Sequence, residues 1–148
     1  MTPSKREAVP DVEFCIIGAN SKFRRLKQMP GVQWKQGIPD VQYLQILQNT
    51  DLLVLPLIAS TSVTTINEVL ACGVPVITNR GGVSDYLNED CSVQVETQAP
   101  EEMNKSVIEL LRSECERKRM GVNARKRGLE LHWLNSAAKM REVYDRLA

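Results

Sequence analysis

The sequence predicts an α/β protein, a doubly wound parallel sheet with helices on both faces, on three observations. Short β-rich runs bounded by Gly or Pro alternate with amphipathic stretches along the chain, the pattern of parallel strands joined by crossover helices. Leu52-Leu-Val-Leu55 is apolar throughout and Val74-Pro-Val-Ile-Thr78 nearly so, as strands covered on both faces should be. The length of 148 residues, 43% hydrophobic and 25% charged, is that of one ordinary globular domain.

Taken in order, a polar lead over residues 1–9 has no apolar core and is not a signal peptide. Val12-Glu-Phe-Cys-Ile-Ile17 reads as a buried strand meeting a tight turn at Gly18-Ala-Asn20. Ser21 to Met29 is basic and amphipathic, a short helix stopped by Pro30-Gly31. Val32-Gln-Trp-Lys-Gln36 alternates and ends at Gly37, a half-buried strand. Asp40 caps a helix with apolar positions Val41, Leu44 and Leu47. Leu52 to Leu55 is the next strand, stopped at Pro56. Ser60-Thr-Ser-Val63 opens a helix through Ala71, with Gly73 in the usual C-terminal position. Val74 to Thr78 is a strand, Gly81-Gly82 a turn before a short helix from Val83 to Leu87, and Ser92 to Glu96 a last strand. Two helices follow, Pro100 to about Arg127 with a break near Ser113, and Trp133 to Leu147.

Composition removes several classes of function. With 19 basic and 18 acidic residues the net charge is +1, so no field attracts nucleic acid or an anionic membrane. The single histidine, His132, rules out a His-rich metal centre, and no two of Cys15, Cys72, Cys91 and Cys115 form a metal-binding or redox pair. The cysteines lie in or beside apolar runs and read as reduced core residues of a cytoplasmic protein. The basic clusters Arg117-Lys-Arg119 and Arg125-Lys-Arg127 read as a solvated helix face. No window is long and apolar enough to span a bilayer. In doubly wound sheets ligands bind beyond the carboxyl ends of the strands. The loops at Gly18, Gly37, Pro56 to Val63 and Thr78 to Gly82 therefore make the candidate site.

Four segments, Pro10-Asp-Val-Glu-Phe-Cys-Ile-Ile-Gly18, Val32-Gln-Trp-Lys-Gln-Gly37, Asp51-Leu-Leu-Val-Leu-Pro56 and Asn67-Glu-Val-Leu-Ala-Cys-Gly-Val-Pro-Val76, together resemble the C-terminal half of retaining glycosyltransferases of GT-B fold, the glycosyltransferase group 1 family. Trp133 followed by Val143-Tyr144 resembles that family's closing helix. The resemblance implies a Rossmann-like domain over residues 10–148 that binds a nucleotide-diphosphate sugar, with no metal or other cofactor. Glu68 matches the second glutamate of the family's Glu–seven residues–Glu motif, which accepts hydrogen bonds from the ribose hydroxyls. Val63, Thr64 and Thr65 match the residues whose amides meet the diphosphate. Gly18 matches the turn that approaches the ligand, Ile38 the loop flanking the base, and Gly81-Gly82 the turn beside the donor. Asp85 stands where that segment usually has Glu and reads as structural.

There are departures from the family pattern. Ser60 replaces the first glutamate, so a hydroxyl rather than a charge faces the donor sugar; Val63 replaces a glycine and Asn20 the second glycine of its turn. No catalytic residue is assigned. The family's C-terminal half begins with a strand and a helix bearing an Arg and a Lys; this chain starts after both, residues 1–9 reading as a remnant of that helix. The N-terminal acceptor domain is likewise expected to be missing, so the chain is expected to bind donor without turnover, in a cytoplasmic parent that is at most peripheral at a membrane. Without the central strand, the sheet either closes in the order 3-2-4-5-6 of the family's strand numbering or leaves an opening for a second copy, a homodimer. A degenerate, non-catalytic binding or interaction module is the alternative, favoured by Ser60 and Val63. A phosphoacceptor receiver would need acids after the first strand, where Gly18-Ala-Asn20 has none, and a nucleotide-sugar epimerase matches the Glu68 segment less well.

Overall fold

The computed structural model describes residues 9, 11–18 and 24–147. The expectations for residues 1–8, Asn20 and the start of the Ser21–Met29 helix lie outside these residues. The chain forms two compact units, Met1–Ile46 and Leu47–Ala148.

In the first unit, β1 (Phe14–Ile17) and β2 (Val32–Lys35) pair in parallel, Phe14 opposite Val32 and Ile17 opposite Lys35. Alternation puts Phe14, Ile16, Val32 and Trp34 on a half-buried face, while Cys15, Ile17 and Gln33 are exposed. The helix α1 (Arg24–Lys27) lies between them in sequence, and the Lys27 ammonium sits 4.8 Å from the centroid of the Trp34 ring, a cation–π contact. The helix α2 runs from Asp40 to Gln48. Asp40 is its first helical residue rather than its cap, because the Tyr43 N–H donates to the Pro39 carbonyl. Its expected apolar stripe is only partly used: Leu47 is buried but Val41 and Leu44 are exposed.

In the second unit, β3 (Leu53–Leu55), β4 (Val76–Asn79) and β5 (Ser92–Val95) form a parallel sheet with β4 central. Among the described residues the strands form two parallel sheets, β1–β2 and β3–β4–β5, and not one sheet in the order 3-2-4-5-6. Val54, Ile77 and Val93 stand opposite one another in register. With Val95 they form one face, covered by Met103, Val107 and Leu110 of α4 (Pro100–Arg112). Val76 and Thr78 alternate to the other face, that of α3 (Thr64–Ala71), whose Ile66, Val69 and Leu70 are fully buried. The short helix expected over Val83–Leu87 is a 3-10 turn over Gly82–Asp85.

The helix α3 ends in a Schellman motif at Gly73, φ +78°, with the Gly73 N–H on Leu70 O and the Val74 N–H on Val69 O. Against this end packs α5 (Glu114–Glu130), separated from α4 by Ser113, whose hydroxyl accepts from the Glu116 N–H. The face of α5 toward α3 holds Gly121, Ala124 and Gly128. A Cβ on Gly128 would lie 2.7 Å from the Ala71 nitrogen, and one on Gly121 2.7 Å from the Gly73 oxygen.

The basic clusters on α5 are not simply a solvated face. Arg125 donates to the Ala71 carbonyl at the end of α3, Arg117 to the Leu110 carbonyl at 2.7 Å at the end of α4, and Arg127 to the Tyr86 carbonyl at 2.8 Å. Carbonyls at helix ends lack partners within the helix, and cations near them suit the dipole. Arg119 and Lys118 do face solvent, paired with Glu116 and Glu114. The last helix, α6 (Trp133–Leu147), has no buried residue and exposes Trp133, Leu134, Met140, Val143, Tyr144 and Leu147. No helix among the described residues is long and apolar enough to cross a membrane.

The cysteines divide rather than forming a common core group. Cys91 is buried, its thiol donating to Asn88 Oδ1 at 3.1 Å, while Cys15 and Cys115 are exposed and Cys72 is half-buried. Burial raises the Cys91 pKa, so less thiolate is present at any pH, and a bulky maleimide should label Cys15 and Cys115 in the native protein but Cys91 only after unfolding. Gly→Ala in a helix interior ordinarily adds about 1 kcal/mol of stability. Gly128→Ala should instead lower the melting temperature, at a cost of about 1–3 kcal/mol, because the new methyl meets main-chain atoms.

Candidate functional site

At the carboxyl ends of β3, β4 and β5, side chains of β4 tie the three outgoing loops together. Thr78 Oγ1 donates to the Leu55 carbonyl at 2.8 Å. Asn79 is buried and bridges both neighbours: its Oδ1 accepts from the Leu57 N–H at 2.9 Å and its Nδ2 donates to the Glu96 carbonyl at 2.9 Å. The Leu57 N–H, which the short strand leaves unladdered, is thereby satisfied, and the Glu96 carbonyl, which also accepts from the Ala99 N–H, gains a second donor.

The loop after β4 then closes on the loop after β3. A Cβ at Gly82 would run into the Ser60 oxygen and stand 2.8 Å from the Thr61 Cα, so the turn accepts the Ser60–Thr61 main chain only with glycine at position 82. Ser60, half-buried, is placed by this contact and is not the cap of α3. The N-cap is Val63, extended at φ −131° and ψ 106°, and no side chain of the Ser/Thr run caps the helix from within. Instead the Val63 N–H donates to the hydroxyl of Tyr86 at 3.1 Å, and Tyr86 is held at its carbonyl by Arg127.

From Val63 the helix runs inward. Thr64 and Thr65 supply its first two amides, which have no acceptor inside the helix, and Glu68 lies one turn further along the same face, half-buried. Burial raises the pKa of Cys72, Arg125 opposing and Glu68 adding to the rise. The arrangement combines a positive helix end with a carboxylate one turn away, suited to an anion and to a hydroxyl-bearing group beside it. Among the described residues no cluster of His, Cys, Asp and Glu is arranged to hold a metal ion.

The structure thus gathers Ser60, Val63, Thr64, Thr65 and Glu68 in the second unit. Gly18 and Ile38 belong to the first: Gly18 follows β1 with its N–H on the Lys35 carbonyl at 3.1 Å, and Ile38 is half-buried after Gly37, φ +62°. Sequence reasoning placed Asn79 in the Thr78–Gly82 loop without giving it a role, and missed Tyr86. The polar pair Thr78-Asn79 closing an apolar strand signalled the first; nothing local signalled the second. Asn79→Ala should cost about 1–3 kcal/mol, since it strands the Leu57 N–H, while the Glu96 carbonyl keeps the Ala99 N–H at 3.3 Å. Asn79→Asp keeps an acceptor for the Leu57 N–H but sets a buried carboxylate against the Glu96 carbonyl, so it should also be less stable than the parent; chemical denaturation of both variants checks this.

The family described as glycosyl transferases group 1 matches residues 2–127. A search of curated protein sequences gives no significant match. Among solved structures, the chain is similar to sucrose-phosphate synthase from Thermosynechococcus elongatus, at 21% identity and TM-score 0.79 over 97% of this chain and 40% of that one. It is similar to a mutant of S. aureus TarM in complex with fondaparinux, alpha-GlcNAc-glycerol and UDP, at 18% identity and TM-score 0.70 over 91% of this chain and 29% of that one. It is also similar to the pneumococcal O-GlcNAc transferase GtfA in complex with UDP and GlcNAc, at 14% identity and TM-score 0.71 over 97% and 31%. The fold is that of the C-terminal half of GT-B glycosyltransferases, and the chain spans well under half the length of each of these proteins.

Proposed function

The chain belongs to the glycosyl transferases group 1 family, and on that premise we propose that residues 10–148 are the donor-binding domain of a cytoplasmic glycosyltransferase, taking a nucleotide-diphosphate sugar without a metal. The observation that carries the reading is the placing of Glu68 one helical turn from the first amides of α3, at the carboxyl end of the β3–β4–β5 sheet. Glu68 accepts from the vicinal hydroxyls of the ribose, since a carboxylate offers an oxygen to each. Val63, Thr64 and Thr65 border the diphosphate, where amides at a helix N-terminus meet negative charge. Ser60 offers its hydroxyl to the sugar.

Two of the similar proteins were solved with UDP, which supports a nucleotide as the ligand class. The acceptor is held by another domain of the parent protein, and the chain by itself binds donor without transferring it. Calorimetric titration with several nucleoside diphosphates tests the reading. Glu68→Ala should weaken binding by about 1.5–3 kcal/mol, the range for hydrogen bonds to a charged group; unchanged affinity in a folded variant rules out the ribose role. Ser60 and Val63, in place of the family's Glu and Gly, favour a second reading, a module that has lost its donor, and absence of binding to every nucleotide would select it.

A further inference from the structure

Tyr86 is the feature of the site that neither the sequence nor the family pattern accounts for. Its main chain is fixed twice: the N–H donates to the Val83 carbonyl at 3.2 Å, and the carbonyl accepts from Arg127 Nε at 2.8 Å. Its side chain is half-buried and reaches back to α3, where the hydroxyl accepts the Val63 N–H at 3.1 Å. Val63 has no side-chain acceptor of its own, and the Ser/Thr run before it does not cap the helix. The phenol therefore occupies the outermost amide of the N-terminus at which the donor reading places a diphosphate.

We infer that Tyr86 is a latch on the donor site: in the empty domain its hydroxyl holds the Val63 amide, and a nucleoside diphosphate binds by displacing it. The inference rests on the donor-binding reading above. The exchange runs in the right direction, because an N–H bond to an ionised phosphate oxygen is roughly twice as strong as one to a neutral hydroxyl. It also needs little motion. With the Tyr86 main chain held by Val83 and Arg127, release is a side-chain rotation, not a loop rearrangement. Binding then carries the cost of breaking the internal bond, which lowers the apparent affinity without adding a contact.

Tyr86→Phe removes the hydroxyl and keeps the ring. Titration of the chain and of this variant with UDP, ADP and GDP is read beside hydrogen exchange of the Val63 amide in both ligand-free proteins. The latch predicts faster Val63 exchange in the variant and roughly three- to tenfold tighter nucleotide binding, the factor for one neutral hydrogen bond. Binding of equal strength, or weaker binding by the variant, would falsify the latch and leave the donor reading standing. Unchanged Val63 exchange would overturn it by showing that the phenol does not hold that amide in solution. No binding of any of the three by either protein, with Val63 exchange still accelerated, would sink the donor reading and the latch together, leaving Tyr86 as a helix cap.

Discussion

Main chain meets main chain where α5 crosses the end of α3. Gly121, Ala124 and Gly128 present α5 with almost no side chain on that face, and the two helices approach until a single added methyl at Gly128 would fall within 2.7 Å of a backbone nitrogen. The rest of the second unit is set by this approach. It orients α3 on β4, and so orients Val63, Thr64 and Glu68 with respect to the ends of the strands. It also brings Arg125 to the last turn of α3 and Arg127 to Tyr86, so one helix anchors the C-terminus of α3 and, through Tyr86, its N-terminus.

That contact is built against local preference. Two glycines inside a 17-residue helix each cost about 1 kcal/mol of helix propensity relative to alanine. The helix forms because tertiary packing repays more than propensity withholds. A second concession lies at Gly82, where the turn after β4 gives up its side chain so that the Ser60–Thr61 backbone can lie against it. Glycine is thus used in the core for helix packing and at the sheet end for loop packing.

Much of this arrangement was legible in the chain. The strands expected over Leu52–Leu55 and Val74–Thr78 declared themselves by apolarity, Gly73 by its place after Ala71, and the break near Ser113 by a capping residue between two helical patterns. The failures have a common cause, since they depend on neighbours distant in sequence. Val41 and Leu44 keep helical spacing yet stay exposed, because periodicity says which face is apolar and not whether anything covers it. Cys15 and Cys115 sit near apolar residues but on exposed positions. The Ser/Thr run looked like a cap, and the acceptor at Val63 comes instead from a residue 23 positions away. Of the site, the positions on α3 were readable from one motif and Gly82 as a turn glycine; the bridging by Asn79 depends on loop groups 22 and 17 positions away.

The two tryptophans fall at uninformative places for a spectroscopist. Trp34 lies in β2 of the first unit, and Trp133, 85% exposed, opens α6. The β3–β4–β5 core and its covering helices contain no indole at all. Intrinsic fluorescence at the red edge therefore reports the environment of β2 and a water-bathed ring whose emission changes little on unfolding. A melt followed at that wavelength can register the first unit and miss the loss of the second, so the cooperativity of this protein is visible only to a probe of the backbone or to an indole introduced into the α3–α5 region.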